Sequence, residues 1–148
     1  MTLTIPIKHE KTDDPKLGNP LLDHLGLKLV LWDIGRCEFE LAISARHLNR
    51  QSSLHGGVVA TLLDAACGYA GLIATPNAKP GNAWTVMLTI SYLDKTARGK
   101  IRAVGQVTRS GRNLYFSTGK LLTEDGHLLA TAQGTFKRAK DGGARPTS

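Results

Sequence analysis

The sequence predicts an α+β domain in which a curved antiparallel sheet wraps around one long central helix. Two extended runs that form a hairpin come first, a nearly uniform apolar stretch at residues 56–74 follows, and four more extended segments close the chain. A helix that is apolar on almost every side is buried, which places it inside the curve of the sheet. A chain of 148 residues has the size of one such domain.

The domain boundaries are expected at composition changes near the two ends of the chain. Residues 1–16 are polar and lack the apolar core of a signal peptide, so we expect a flexible N-terminal arm. Residues 17–138 contain all the predicted helices and strands and form the folded domain. Residues 139–148 (AKDGGARPTS) are expected to be a disordered C-terminal tail.

The first elements are a short helix and a hairpin. Asn19 is a suitable N-cap and Pro20 a suitable first helical residue, which predicts a helix that runs to about Leu25. Residues 26–32 and 36–44 are extended runs joined by a turn signal, and the second run alternates apolar and polar side chains. This pattern is typical of a half-buried hairpin.

The central helix is predicted over Gly56–Ala74, after a polar loop at residues 45–55. Asp64 is the only charged residue in it. Helical spacing places several small side chains on one face with Asp64, so another surface is expected to approach that face closely. The residues of this predicted face are Gly57, Ala60, Thr61, Asp64, Cys67, Gly68 and Gly71.

Four strands are predicted after the helix. Their predicted ranges are 84–92, 99–108, 113–122 and 127–137, and the turn signal TEDG joins the last two as a hairpin. Strict alternation in the first of them places Trp84, Leu88 and Tyr92 on one face and Thr85 on the other.

Charge and cysteine content exclude several classes of function. The net charge of +7 comes from basic residues scattered along the chain, without the dense basic block typical of nucleic-acid binding. Cys37 and Cys67 have no metal-ligand spacing, the histidines form no metal motif, and we expect two buried thiols in a reducing cytoplasm. No apolar run is long enough to span a membrane, and no metal site is expected.

The chemistry is expected where the central helix begins. Gly56 and Gly57 lie at a helix N-terminus, where amide N–H groups lack intrahelical partners and the helix dipole adds positive charge. Such a terminus can stabilise a developing oxyanion. Asp64 lies two turns further on among apolar residues, where an unpaired carboxylate is costly to bury and suggests a function. A donor and a carboxylate on one helix indicate acyl transfer to water.

The segment HGGVVATLLDAACGYA, with an asparagine six residues before its histidine, resembles the hot-dog-fold acyl-CoA thioesterases. The resemblance covers roughly residues 21–138 and is closest to the phenylacetic-acid-pathway and hydroxybenzoyl-CoA subgroups. It implies a hot-dog fold and hydrolysis of acyl-CoA thioesters to free acid and coenzyme A. Coenzyme A is then part of the substrate, and no separate cofactor is implied.

The resemblance also implies a role for each site residue. The Gly56 N–H, helped by the Asn49 side chain, would polarise the thioester carbonyl. Asp64 would activate water as a general base or attack as a nucleophile, and Thr85 would position the water. His55 would orient the loop and only secondarily donate a hydrogen bond to substrate.

Self-association is implied as well. In this family two chains pair through their central helices and sheets, so that Asp64 of one chain faces Gly56 of the other, and dimers often pair into tetramers. Two positions depart from the family pattern: Ser52 replaces a usual glycine, and Lys95 stands in a segment where proline is common.

A further set of basic residues has two interpretations. They either bind the phosphates of coenzyme A or belong to an ordinary solvated surface. These residues are Arg109, Arg112, Lys137 and Arg138.

Two other functions fit the same fold. The first is an acyl-CoA-binding protein without turnover, and the combination of Gly56, Asn49 and Asp64 argues against it. The second is an acyl-CoA dehydratase, which would use a His/Asp pair on a loop before the helix. Asp64 itself could also be a buried structural acid.

Overall fold

The computed structural model describes residues 17–140. The predicted N-terminal arm at 1–16 lies outside the described residues, as do residues 141–148 of the predicted tail. Within the described range a single 3₁₀ turn, Ala45–His47, accompanies two α-helices and six strands. The helices and strands are α1 (Pro20–Leu25), β1 (Lys28–Asp33), β2 (Arg36–Ala42), α2 (Gly56–Tyr69), β3 (Ala83–Tyr92), β4 (Lys100–Ser110), β5 (Leu114–Thr123) and β6 (Leu128–Arg138).

The six strands form one antiparallel sheet in the order β1-β2-β4-β5-β6-β3. The hairpin β1-β2 joins the sheet through β4, and β3 pairs with β6 at the opposite edge. Helix α2 packs against the inner face of the sheet and contacts strands β2 to β6. The predicted architecture of a curved sheet around one long helix is confirmed.

The core lies between α2 and the inner face of the sheet. Leu62, Leu63 and Ala66 of the helix are fully buried there. The close approach depends on Gly105 of β4, because a Cβ atom at this position would lie 2.1 Å from the Ala66 carbonyl oxygen. Packing of the helix backbone directly on a strand explains why glycine occupies this inner position.

Helix α1 begins and ends where the sequence predicts. The Asn19 side chain accepts a hydrogen bond from the Leu22 N–H (3.5 Å), and Gly26 closes the helix with a left-handed φ of 82°. Gly26 therefore ends the helix, and the prediction that it begins the next strand is wrong. The buried His47 ties α1 to the following loop, because its Nδ1 accepts from the Ser44 N–H and its Nε2–H donates to the Leu25 carbonyl (2.7 Å).

Helix α2 ends at Tyr69, and the prediction that it runs to Ala74 is wrong. The last carbonyl groups of a helix need partners, and side chains from the sheet supply them here. The Tyr115 hydroxyl donates to the Gly68 oxygen (2.5 Å), and the Trp32 indole N–H donates to the Tyr69 oxygen (2.8 Å). These side chains, together with the N–H groups of Gly71 and Leu72, satisfy the end of the helix although the sequence that follows is still apolar.

Strand β3 carries a bulge that changes which side chains face inward. Its pairing with β6 shifts between Thr85 and Met87. Thr85 lies opposite Phe136, and Leu88 lies opposite Gly134, both on the inner face. Strict alternation predicts that Thr85 and Leu88 lie on different faces, and this is wrong because the extra residue at the bulge puts them on the same face.

The outer edge of β3 is unpaired within residues 17–140 and carries exposed apolar side chains. An edge strand of this kind is open to pairing with a further strand. In the same range, neither helix has the length and apolar character needed to cross a lipid bilayer. The exposed apolar residues on or next to β3 are Trp84, Val86, Met87, Tyr92 and Leu93.

Candidate active site

The loop before α2 is organised by Asn49. The side-chain oxygen of Asn49 accepts hydrogen bonds from the N–H groups of Gln51 (2.9 Å) and Ser53 (3.1 Å). Its backbone N–H donates to the Ser53 oxygen (2.7 Å). Within residues 17–140 the Asn49 amide nitrogen makes no hydrogen bond, so the side chain builds the turn with its oxygen and retains a donor.

Ser52 occupies a strained position in this turn. Its φ is 59°, in the left-handed region that favours glycine. The family pattern that the sequence resembles has glycine here, and the left-handed backbone is a conformation that suits glycine. The serine keeps the turn but adopts a conformation that is costly for a residue with a Cβ atom.

The first turn of α2 is capped by His55. Its Nδ1 accepts a hydrogen bond from the Gly57 N–H (2.8 Å), while its carbonyl oxygen accepts from Val58 and Val59. In the described part of the chain no acceptor is paired with the Gly56 N–H. One amide therefore remains available at the positive end of the helix dipole.

The Gly56 end of the helix opens onto a cavity of about 500 Å³. Asn49 and Ser53 line it from the loop, and Tyr92 lines it from the end of β3. Its walls deeper in the protein are apolar and include Val59 and Leu129. Gly56 and Asn49, which the family resemblance implies act on one carbonyl, therefore share a cavity.

Asp64 faces a second cavity of about 210 Å³. The Thr85 hydroxyl donates to Asp64 Oδ1 at 2.7 Å, so the helix carboxylate and the edge strand are linked directly. Asp64 is half-buried, and no hydrogen bond within residues 17–140 uses its Oδ2. Tyr69 and Leu22 line other parts of this cavity.

Gly56 and Asp64 do not meet within one chain. They lie eight positions apart in the helix, which is about 12 Å along the helix axis at 1.5 Å per residue. They open onto different cavities. One chain therefore presents the Gly56 amide and the Asp64 carboxylate in two separate cavities.

Cys67 lies one turn beyond Asp64 but is unsuited to act as a nucleophile. Its side chain is fully buried. Burial and, to a smaller extent, the negative charge of Asp64 raise the pKa of the Cys67 thiol to about 12. Cys37 is equally buried, and its thiol pKa is also raised by burial. Both cysteines are free buried thiols as predicted.

Arg138 is occupied by the fold. Its guanidinium donates to the Gly71 oxygen and to the Ser110 hydroxyl, each at 2.6 Å, and lies 4.6 Å from the centre of the Tyr115 ring. The residue fixes the chain just beyond α2. A guanidinium held by these hydrogen bonds is poorly placed to bind the phosphate group of a ligand in solvent.

The other three predicted basic residues are exposed at the end of the sheet where β3 begins. Lys137 is paired with Trp84 on the outer face, and its Nζ lies 5.6 Å from the centre of the indole ring. Arg109 also lies on the outer face, opposite the exposed Phe116. Arg112 belongs to the turn between β4 and β5.

Sequence reasoning missed Tyr92. Its hydroxyl donates to the Gly56 oxygen at 2.8 Å, across 36 positions of the chain. The alternating pattern of β3 groups Tyr92 with Leu88 on one face but does not indicate which part of the helix Tyr92 meets. The position of the residue at the strand end was the only available signal.

The fold and the similarity of the chain to known proteins together define the class of protein. The chain has the hot-dog fold and is a hydrolase of the thioester or ester type. It belongs to the thioesterase superfamily, whose family model matches residues 51–130.

Individual relatives agree with this assignment. The protein PA0474 of Pseudomonas aeruginosa is 30% identical over 121 residues, covering 80% of this chain and 88% of that protein. Acyl-coenzyme A thioesterase 13 of Mus musculus is 30% identical over 97 residues, covering 60% of this chain and 67% of the relative. The PaaI protein of Escherichia coli, from the phenylacetic acid degradation operon, has the same fold. It superposes with a TM-score of 0.74 at 23% identity, covering 83% of this chain and 86% of that one.

Proposed function

We propose that the chain hydrolyses acyl-CoA thioesters in a site shared between two copies. The observation that carries the proposal is the Asp64 carboxylate, held by the Thr85 hydroxyl at 2.7 Å with its other oxygen left facing a cavity. Nothing in the packing of α2 requires a carboxylate there. A positioned base beside a small cavity suits the activation of one water molecule.

The chemistry needs only the groups already described. Asp64 takes a proton from water as the water oxygen attacks the thioester carbon. The carbonyl oxygen becomes an oxyanion, which the Gly56 N–H and the Asn49 amide stabilise. When the carbon–sulfur bond breaks, the sulfur of coenzyme A leaves with the bonding electrons and receives the proton from Asp64. The products are the free acid and coenzyme A.

A second copy is required because the two half-sites of one chain, the Gly56 amide and the Asp64 carboxylate, open onto different cavities. In a symmetric dimer, Asp64 of one protomer can face Gly56 of its partner, and two equivalent sites result. The exposed apolar residues along the unpaired edge of β3 support this arrangement. Trp84, Val86 and Met87 are each 45% to 57% exposed in a single chain.

The phosphates of coenzyme A are assigned to the exposed basic residues near the β3 end of the sheet. Arg109, Arg112 and Lys137 are available for this role, whereas the Arg138 guanidinium is held by Gly71 and Ser110. Long basic side chains can reach a negatively charged ligand from solvent.

Asp64→Asn tests the proposal because it keeps the side-chain shape and removes the base. Turnover of wild type is first measured against a panel of short, long and aryl acyl-CoAs. With the best substrate, kcat of Asp64→Asn should fall about 10²- to 10⁴-fold, the usual effect of losing a positioned general base. KM should change far less, and the thermal midpoint should hold or rise because a half-buried charge is removed.

Glu124→Gln is the matched control, since it neutralises an exposed carboxylate in the β5–β6 turn. It should leave kcat unchanged. Near-wild-type kcat with a lower thermal midpoint in Asp64→Asn would identify Asp64 as a structural acid and end the proposal.

A further inference from the structure

The peptide group between Gly56 and Gly57 is held at both ends by side chains. The Tyr92 hydroxyl donates to its carbonyl oxygen, that of Gly56, at 2.8 Å. The His55 Nδ1 accepts from its N–H, that of Gly57, also at 2.8 Å. One peptide plane thus accepts a hydrogen bond from Tyr92 and donates one to His55.

This peptide needs to be held because it joins two glycines. Glycine has more backbone freedom than any other residue, and a helix end frays easily. Rotation of the plane would tilt the whole first turn, including the preceding Gly56 N–H. An oxyanion donor is effective only when its direction is fixed before the charge develops.

Tyr92 is well placed to supply that restraint. It is the last residue of β3 and is fixed there by pairing with Ala130 of β6. Its ring lies against the Gly56 backbone, since a Cβ atom built on Gly56 would be 3.6 Å from the ring. Strand β3 also carries Thr85, which bonds Asp64. One strand therefore contacts both half-sites, Thr85 at its beginning and Tyr92 at its end.

We propose that Tyr92 is a positioning residue that fixes the Gly56 amide in the orientation needed to stabilise the oxyanion. The inference rests on the proposed function, in which Gly56 is the oxyanion donor. Tyr92 acts through Gly56, and its effect is therefore expected on the chemical step more than on substrate binding.

Tyr92→Phe tests this role because it removes the hydroxyl and keeps the ring. We expect kcat to fall about tenfold, since a small misplacement of a catalytic donor is enough to slow the chemical step. KM should stay within about twofold because the binding surface is kept. The thermal midpoint and the light-scattering mass should match wild type. Thr118→Val removes an exposed hydroxyl from β5, a strand in the interior of the sheet, and should leave kcat unchanged.

The outcomes separate the inference from the function on which it rests. A loss of kcat in Tyr92→Phe with KM, midpoint and mass preserved supports the positioning role. Wild-type kcat in Tyr92→Phe, together with an inactive Asp64→Asn, overturns the role of Tyr92 and leaves the proposed function standing. If kcat of Tyr92→Phe falls together with its thermal midpoint or its light-scattering mass, Tyr92 stabilises the fold or the dimer, and the positioning role is overturned. Wild-type kcat in Asp64→Asn contradicts the proposed function, and the inference about Tyr92 fails with it.

Discussion

The Thr85 hydroxyl donates a hydrogen bond to the Asp64 carboxylate across 2.7 Å, joining an edge strand to the central helix over 21 positions of the chain. The contact holds one carboxylate oxygen and fixes the direction of the other. Thr85→Val removes the donor and keeps the branched shape. We expect kcat to fall about tenfold, as expected when a catalytic base loses its orientation. Thr85→Ser retains a hydroxyl and should keep most of the turnover; equal kcat in the valine and serine variants would contradict the role of the hydroxyl.

Gly56→Pro deletes the proposed oxyanion donor without a large change of backbone. Proline is favoured at the first position of a helix, where its missing N–H has no helical acceptor. The preceding residue, His55, has φ −63° and ψ 133°, within the range that precedes proline. We expect kcat to fall about 10²- to 10³-fold, the usual effect of removing one oxyanion donor.

Gly56→Ala is the matched control for that experiment. It keeps the N–H, and its Cβ would lie at an ordinary contact distance of 3.6 Å from the Tyr92 ring. The alanine variant should retain kcat within a few-fold. Steady-state kinetics on both variants would refute the amide's role if proline and alanine gave the same kcat.

Much of the fold could be predicted because it depends on local patterns. The Asn19-Pro20 signal identified α1, and alternation identified the hairpin and the last four strands. The end of α2 could not be predicted, because Trp32 and Tyr115, which bind its last carbonyl groups, are distant in sequence. An apolar run in the sequence does not indicate where side chains from other strands will donate hydrogen bonds to its carbonyl groups.

The candidate site was predictable in its residues but not in its geometry. The segment that begins at His55 identified the helix start and Asp64. The inward direction of Thr85 depends on the bulge before Met87. No pattern in the sequence of β3 predicts this bulge. The contact of Tyr92 with Gly56 depends on how sheet and helix pack. The resemblance implies that Gly56 and Asp64 of one chain work apart, and the folded chain adds the two cavities onto which they open.

Ser52→Gly should stabilise the protein. A non-glycine residue in the left-handed region costs roughly 1–2 kcal/mol. Glycine recovers that strain but loses about 0.5–1 kcal/mol through the greater freedom of the unfolded chain. We therefore expect the thermal midpoint to rise by roughly 2–5 °C. Ser53→Gly at the next position, where φ is not positive, should lower it. A lower midpoint in Ser52→Gly would show that the serine side chain stabilises the turn.

The two cysteines should resist thiol reagents in the native protein. Burial raises both thiol pKa values, that of Cys67 to about 12, so the reactive thiolate is nearly absent at pH 8. Iodoacetamide should leave the native protein unlabelled and modify both cysteines after unfolding in guanidinium chloride. Thr118→Cys, at an exposed position of β5, should be labelled quickly and serves as the control. Rapid native labelling of Cys67 would show that the helix face opens.

The central claim is that Asp64 of one protomer works with Gly56 of its partner, and mixed dimers of two inactive variants test it most directly. Asp64→Asn and Gly56→Pro are unfolded together in equal amounts and refolded, and kcat is compared with each variant refolded alone. Random pairing makes half of the dimers mixed, and each mixed dimer contains one site with both groups intact, so about a quarter of wild-type activity should return. Activity no higher than that of the separate variants, in a mixture shown by mass to contain the mixed dimer, would contradict a site shared between protomers.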